Sequence, residues 1–136
     1  MSIPNGLDPR LDGLFLNSFS VKPDAVSGAR ANIPSHVKSV SVEAVTNDAN
    51  DWIVLPPLAT VPLGHQIVIL CSAGTNFELR TPASSNEKIN DVDSDGTQEY
   101  LCTDTDTVIV TKISSTAWIG QSLTKLGAVR TAVVPD

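Results

Sequence analysis

Two histidines, two cysteines and one run of alternating aspartates are the residues of this 136-residue chain whose types and spacing suggest chemistry. Histidine is the usual proton-transfer group near neutral pH, so His36 and His65 are the imidazole bases on offer. His36 follows Pro34-Ser35 where the sequence pattern changes, and His65 sits in Gly64-His65-Gln66 where a strand begins. A polar residue at such a boundary more often serves the backbone than a substrate, so both are read as structural. Cys71 and Cys102 have thirty residues between them, with no second pair and no C-x-x-C, so zinc and thioredoxin-like chemistry lack their spacing. Cys71 falls in an apolar run, where burial raises a thiol's pKa and leaves it inert, and free buried thiols are expected at both positions. No G-x-S-x-G, H-E-x-x-H or glycine-rich phosphate loop occurs. The expectation is a protein that is not an enzyme, with no catalytic residue and no cofactor.

The remaining string is Asp91-Val92-Asp93-Ser94-Asp95-Gly96, which matches the opening of a calcium loop, with oxygens at positions one, three and five and glycine at six. The match then fails, because position twelve is Cys102 where a bidentate Glu is needed, and Glu99 comes three residues early. Its flanks also read as strands, not helices. Asp91, Asp93 and Asp95 are therefore expected to form a solvated acidic loop, with Asp and Gly supplying turn geometry and no metal bound. A non-helical calcium loop is the alternative.

The elements around these residues are strands. With 41% apolar and 18% charged residues the chain has the makings of one compact domain, long enough to hide about two thirds of its unfolded surface. Its net charge of −6 excludes a strong electrostatic nucleic-acid binder. No apolar run approaches the ~18 residues of a membrane span, and residues 1–10 lack the basic-then-apolar order of an export signal, so no membrane partner is expected.

Residues 1–35 hold Pro4, Pro9, Pro23 and Pro34 without sustained alternation, yet carry Leu14, Phe15, Leu16, Phe19 and Val21. They read as an N-terminal arm that packs on something, with Asp8-Pro9 able to start one or two helical turns. From Val37 the period becomes two, and residues 36–136 read as a β-sandwich domain. Val40, Val42 and Ala44 alternate with Ser41 and Glu43; residues 46–51 are a polar turn; Trp52-Ile53-Val54-Leu55 is a strand stopped by Pro56-Pro57. In residues 64–71 Ile67, Ile69 and Cys71 share one face and Val68 and Leu70 the other, so both faces read as covered. Residues 72–75 turn the chain before the strand of Phe77 and Leu79, residues 82–90 read as a polar loop, and further strands are expected over 98–103, 107–113, 118–119 and 128–134. Seven or eight short strands without a long helix predict an all-β fold, a small antiparallel β-sandwich or roll with an extended N-terminal arm. Trp52, Trp118, Tyr100 and Phe77 lie inside strand patterns and are assigned to the core rather than to a sugar site.

Within this frame a sequence pattern stands out. A strand ends in Leu55-Pro56-Pro57, Gly64 opens the strand Gln66 to Leu70, and a Gly74-x-Asn76 turn leads to Glu78-Leu79-Arg80. A Pro82-Ala83 loop, Ile89-Asn90, another strand and finally Trp118 follow. This half of the chain resembles a β-domain recurrent in tailed-phage virion proteins, including capsid decoration and fibre-type subunits. It departs from that pattern at residues 91–95, where an acidic insert replaces a short glycine turn, and the arm lies outside the match. The resemblance implies a structural virion protein: a capsid decoration (cement) protein that joins the exterior of an assembled capsid in the host cytoplasm, with the major capsid protein and copies of itself, as a trimer, for partners. A receptor- or glycan-binding module of a fibre or surface assembly is the alternative, and a small hydrolase a third that lacks a visible acid–base pair.

Overall fold

The computed structural model describes residues 18–21, 32–42, 52–71, 76–93, 100–103 and 105–130. The strands are β1 (Ser18–Val21), β2 (Ser39–Val42), β3 (Trp52–Val54), β4 (Gln66–Cys71), β5 (Phe77–Arg80), β6 (Lys88–Ile89), β7 (Val92–Asp93), β8 (Tyr100–Cys102), β9 (Thr107–Lys112), β10 (Ala117–Leu123) and β11 (Val129–Arg130). A single 3₁₀ turn, Leu58–Thr60, follows Pro56-Pro57 and is the one helical element among the described residues. The all-β class expected from the sequence is what the chain adopts.

Eight strands form the larger sheet, in the order β1-β2-β4-β9-β10-β6-β7 with β11 also on β10; β3-β5-β8 form the smaller. The pairing is mixed where pure antiparallel ladders were expected. β4, β9, β10 and β11 pair antiparallel in succession, as do β5 with β8 and β6 with β7. β1 with β2, β2 with β4, β3 with β5 and β6 with β10 run parallel. From β2 to β5 the chain alternates between the sheets, so strands two apart in sequence lie side by side and run the same way.

Alternation builds the shared core. Val40, Val42, Ile67, Ile69, Val108, Val110 and Trp118 of the larger sheet are buried against Ile53, Phe77, Leu79, Tyr100 and Cys102 of the smaller. Each large apolar side chain so buried contributes about 1.5–3 kcal/mol. Gly120 sits at a close approach: a Cβ there would lie 3.1 Å from both Ile89 Cγ2 and the Tyr100 ring.

Parts of the segment 1–35 belong to this fold. β1 lies at the edge of the larger sheet on β2, and Ile33 is buried in the core, its N–H donating to the Val54 carbonyl at 2.9 Å. Phe15, Leu16 and the Asp8-Pro9 helix start lie outside the described residues, as do the turns expected at 46–51 and 72–75. The expected loop 82–90 contains β6 instead, because Ile89 is buried and the Lys88 and Asn90 N–H groups donate to Thr116 and Trp118 carbonyls at 2.9 and 3.0 Å. At Gly64 the chain turns with φ 82, and the His65 N–H closes the turn on Pro62 at 3.1 Å, a conformation that suits glycine.

Gly120→Ala should lower unfolding free energy by about 1–3 kcal/mol, because the added methyl must displace Ile89 or the Tyr100 ring. Urea denaturation measures it; an unchanged midpoint would mean the sheets are less closely apposed at this point.

Candidate interaction surface

Among the described residues singled out for chemistry, the two cysteines come together and the histidines stand apart from them. His65 is buried where β4 begins, and its Nε2–H donates to the Val37 carbonyl at 3.1 Å. Burial pulls its pKa below the ordinary 6.5, the Val37 carbonyl opposes this, and the Lys38 ammonium adds to the lowering. This imidazole is a neutral tie between β4 and the approach to β2. His36 is exposed in the turn before Val37. Cys71 and Cys102 are free and buried, one from each sheet, and desolvation chiefly, with Cys71 beside it, pushes the Cys102 thiol well up. No group of three or more His, Cys, Asp or Glu side chains is placed to hold a metal among the described residues. Asp91 forms, with Asn90, the two-residue turn of the β6–β7 hairpin, at φ 63 and 54. Positive φ at both positions is the signature of a type I′ turn, which Asn and Asp tolerate. Ser94, Asp95 and Gly96 lie outside the described residues.

Sequence reasoning passed over a buried polar cluster. Glu87 Oε1 accepts the Leu58 N–H at 2.9 Å, while the Lys112 ammonium donates to the carbonyls of Leu58 and Val61 at 2.6 and 2.7 Å. Two side chains of opposite charge thus satisfy both backbone groups of Leu58, whose own side chain is buried. Burial raises the Glu87 pKa above the ordinary 4.5, opposed by the Leu58 N–H, the Lys112 charge and the Trp118 indole N–H. At the other end of β9, Asp106 is buried and takes the Arg130 guanidinium in a two-pronged ion pair at 2.5 and 3.1 Å. Only the Glu87 side chain, inside a stretch that reads as polar loop, could have signalled this, and its spacing matches no motif.

A cleft of about 510 Å³ opens where the chain leaves β3 and β5, lined by Trp52, Val54, Pro56, Pro57, Arg80 and Pro82 among others. Trp52 is half-buried, and the Arg80 guanidinium lies 4.1 Å from its ring centroid while donating to the Glu78 carboxylate at 2.6 and 3.1 Å. Trp118, by contrast, is wholly inside.

The most distinctive surface is the outer face of the larger sheet. The smaller sheet covers only the face bearing Ile67, Ile69 and Val108, so the outer side chains of β4 are not covered, contrary to the sequence reading: Leu70 is 46% exposed. Strand register sets the outer residues in rows. Ser41, Leu70, Thr107, Leu123 and Val129 form one row, and Ser39, Val68, Ile109 and Gln121 the next. Gln66, Thr111 and Ile119 form a third. Ile119 is 49% and Val129 64% exposed. From β2 across to β11 the described residues of this face include no charged side chain; the face ends at Lys88 of β6, opposite Ala117. Apolar and neutral polar side chains in register make a surface suited to contact with protein.

The raised pKa of Glu87 makes stability pH-dependent with a definite sign. The folded chain holds this proton more tightly than the unfolded one, so the stabilisation is complete below pH 4.5 and is lost as pH rises through the folded value. Urea midpoints measured from about pH 4 to about pH 7 should therefore fall for the natural chain relative to Glu87→Gln. Parallel curves would show that Glu87 ionises as easily inside as out.

No protein-family model, curated protein or solved structure matches this chain, so its surfaces are interpreted from their own chemistry.

Proposed function

We propose that the chain is a structural virion protein, a decoration (cement) subunit that binds the exterior of an assembled phage capsid through its arm and its β-domain. The observation that carries this reading is the uncharged, half-apolar outer face of the larger sheet, on a chain whose net charge is −6. An exposed sheet face of this kind is an aggregation hazard unless another protein covers it. The sequence pattern from Leu55-Pro56-Pro57 to Trp118, with its resemblance to phage virion β-domains, supports the same conclusion. The partners are the major capsid protein and copies of the chain itself, expected as a trimer on the resemblance. Contacts made only in the assembled particle stabilise that state by mass action, which requires no bond-making chemistry.

The cleft beside Trp52 favours a second reading, a receptor- or glycan-binding module, because half-open tryptophan and an arginine are groups that stack on sugar rings. On that reading Trp52→Ala abolishes binding to host envelope glycans and leaves capsid attachment untouched.

The arm is tested by removing residues 1–17, which spares β1 and the buried Ile33. The shortened chain should keep its circular dichroism spectrum and bind purified capsids about tenfold or more weakly, a loss of roughly 1.4 kcal/mol or more. Attachment at full strength without residues 1–17 would remove the arm from the proposal, and absence of capsid binding by the full chain would end it.

A further inference from the structure

We infer that the uncharged outer face of the larger sheet is the surface through which copies of this chain meet, its occupant being a second copy. The inference rests on reading the chain as a protein-binding subunit, and it adds which surface the copies share.

Charge selects the occupant. A partner of opposite sign would be recognised through acidic surface, of which a chain with net charge −6 has plenty. A twin carries the same −6, so close approach sets like charges against one another unless the meeting surfaces lack them. The face from β2 to β11 is such a surface: Leu70, Ile119 and Val129 are apolar and half-exposed or more, and the polar members between them are Ser, Thr and Gln. Its neutral donors and acceptors have no sign, so they can pair with neutral groups of another copy without repulsion.

The dimensions agree. Five strands about 4.8 Å apart span roughly 19 Å, and three rows of outward residues extend the face by about 13–20 Å along the strands. The projected area is on the order of 250–380 Å². This suits the apolar centre of an interface that buries about 800 Å² on each partner, the rest coming from its rim.

Edge pairing, the usual alternative for β proteins, is closed along β10. Its far side is paired with β6 at Ala117 and Trp118 and with β11 at Ser122 and Leu123. Between them the Asn90 side-chain amide substitutes for a strand at Gly120, donating to its carbonyl and accepting its N–H, both at 2.9 Å. Strand addition at this point has no free groups to use, so β10 offers a copy its outer face rather than its edge.

The experiment is sedimentation equilibrium on the full-length protein over a range of concentrations. The natural chain should sediment at twice 14.4 kDa or a higher multiple. A Leu70→Lys/Ile119→Lys chain should dissociate about 100-fold more readily, since each copy then presents two like charges at the contact. Both positions are half-exposed, so its circular dichroism spectrum should be unchanged. Gln121→Lys, which removes no apolar surface, should weaken association in the same direction, and Ser115→Lys in the exposed turn before β10 should not. A natural chain that stays at one-chain mass up to about 1 mM overturns the inference, as does a Leu70→Lys/Ile119→Lys chain that associates normally. Capsid binding by the same proteins separates the two claims. A monomer that attaches refutes this inference and leaves the function standing; a multimer that does not attach does the reverse.

Discussion

A two-layer fold covers each sheet once, and here the layers are unequal. The larger sheet has eight strands and the smaller has three, so the smaller can shield one face of its neighbour and nothing more. The shielded face holds Ile67, Ile69, Val108, Val110 and Trp118 and gives the chain its core. The unshielded face retains Leu70, Ile119 and Val129 at the surface, and the described residues in their rows carry no charge. Folding has thus spent the apolar side chains of one face and left those of the other unused. That remainder is the reason for assigning the chain a binding role.

The groups that resemble catalytic equipment are occupied at the joints between elements. His65 ties the start of β4 to Val37, and Tyr100 shares a hydrogen bond of 2.6 Å with Ser122, joining the smaller sheet to β10. Glu87 and Lys112 serve the two backbone groups of Leu58, and Asn90 continues the β10 ladder where β6 stops. Each provides a buried backbone or side-chain group with the partner that a missing strand or water would otherwise supply. In an irregular fold with many short strands such demands are numerous. They account for these polar side chains without any substrate, and Glu87 illustrates the cost in its raised pKa.

What the sequence disclosed follows from the range over which each signal acts. The apolar run of Gln66–Cys71 and the β-branched composition of Thr107–Lys112 act within single strands, and those strands could be read directly. Pro56-Pro57 likewise ends β3 through its own chemistry. Parallel pairing of β2 with β4 depends on a strand two elements further on, so no local pattern reports it. β6 is two residues in a polar stretch, visible only once Ile89 is seen buried. Val68 and Leu70 were legible as apolar, but side-chain type cannot say whether the covering surface belongs to the same molecule. That ambiguity is where the fold could be read and the interaction surface could not.

The same geometry bears on how an arm and a face work together. β1 is the edge strand of the larger sheet, paired with β2, so the chain enters the described fold at the margin of this sheet. Seventeen extended residues reach at most about 60 Å, enough to meet a neighbouring subunit while the β-domain stays in place. On the proposed reading, a face of a few hundred Å² needs additional contacts to hold a subunit in a particle, and the tether supplies a second grip. Once one contact has formed, the other closes at high effective concentration, so two modest interactions combine into tight attachment. On the proposed reading, a subunit built this way stays dissociable before assembly and becomes firmly held only where both neighbours are present.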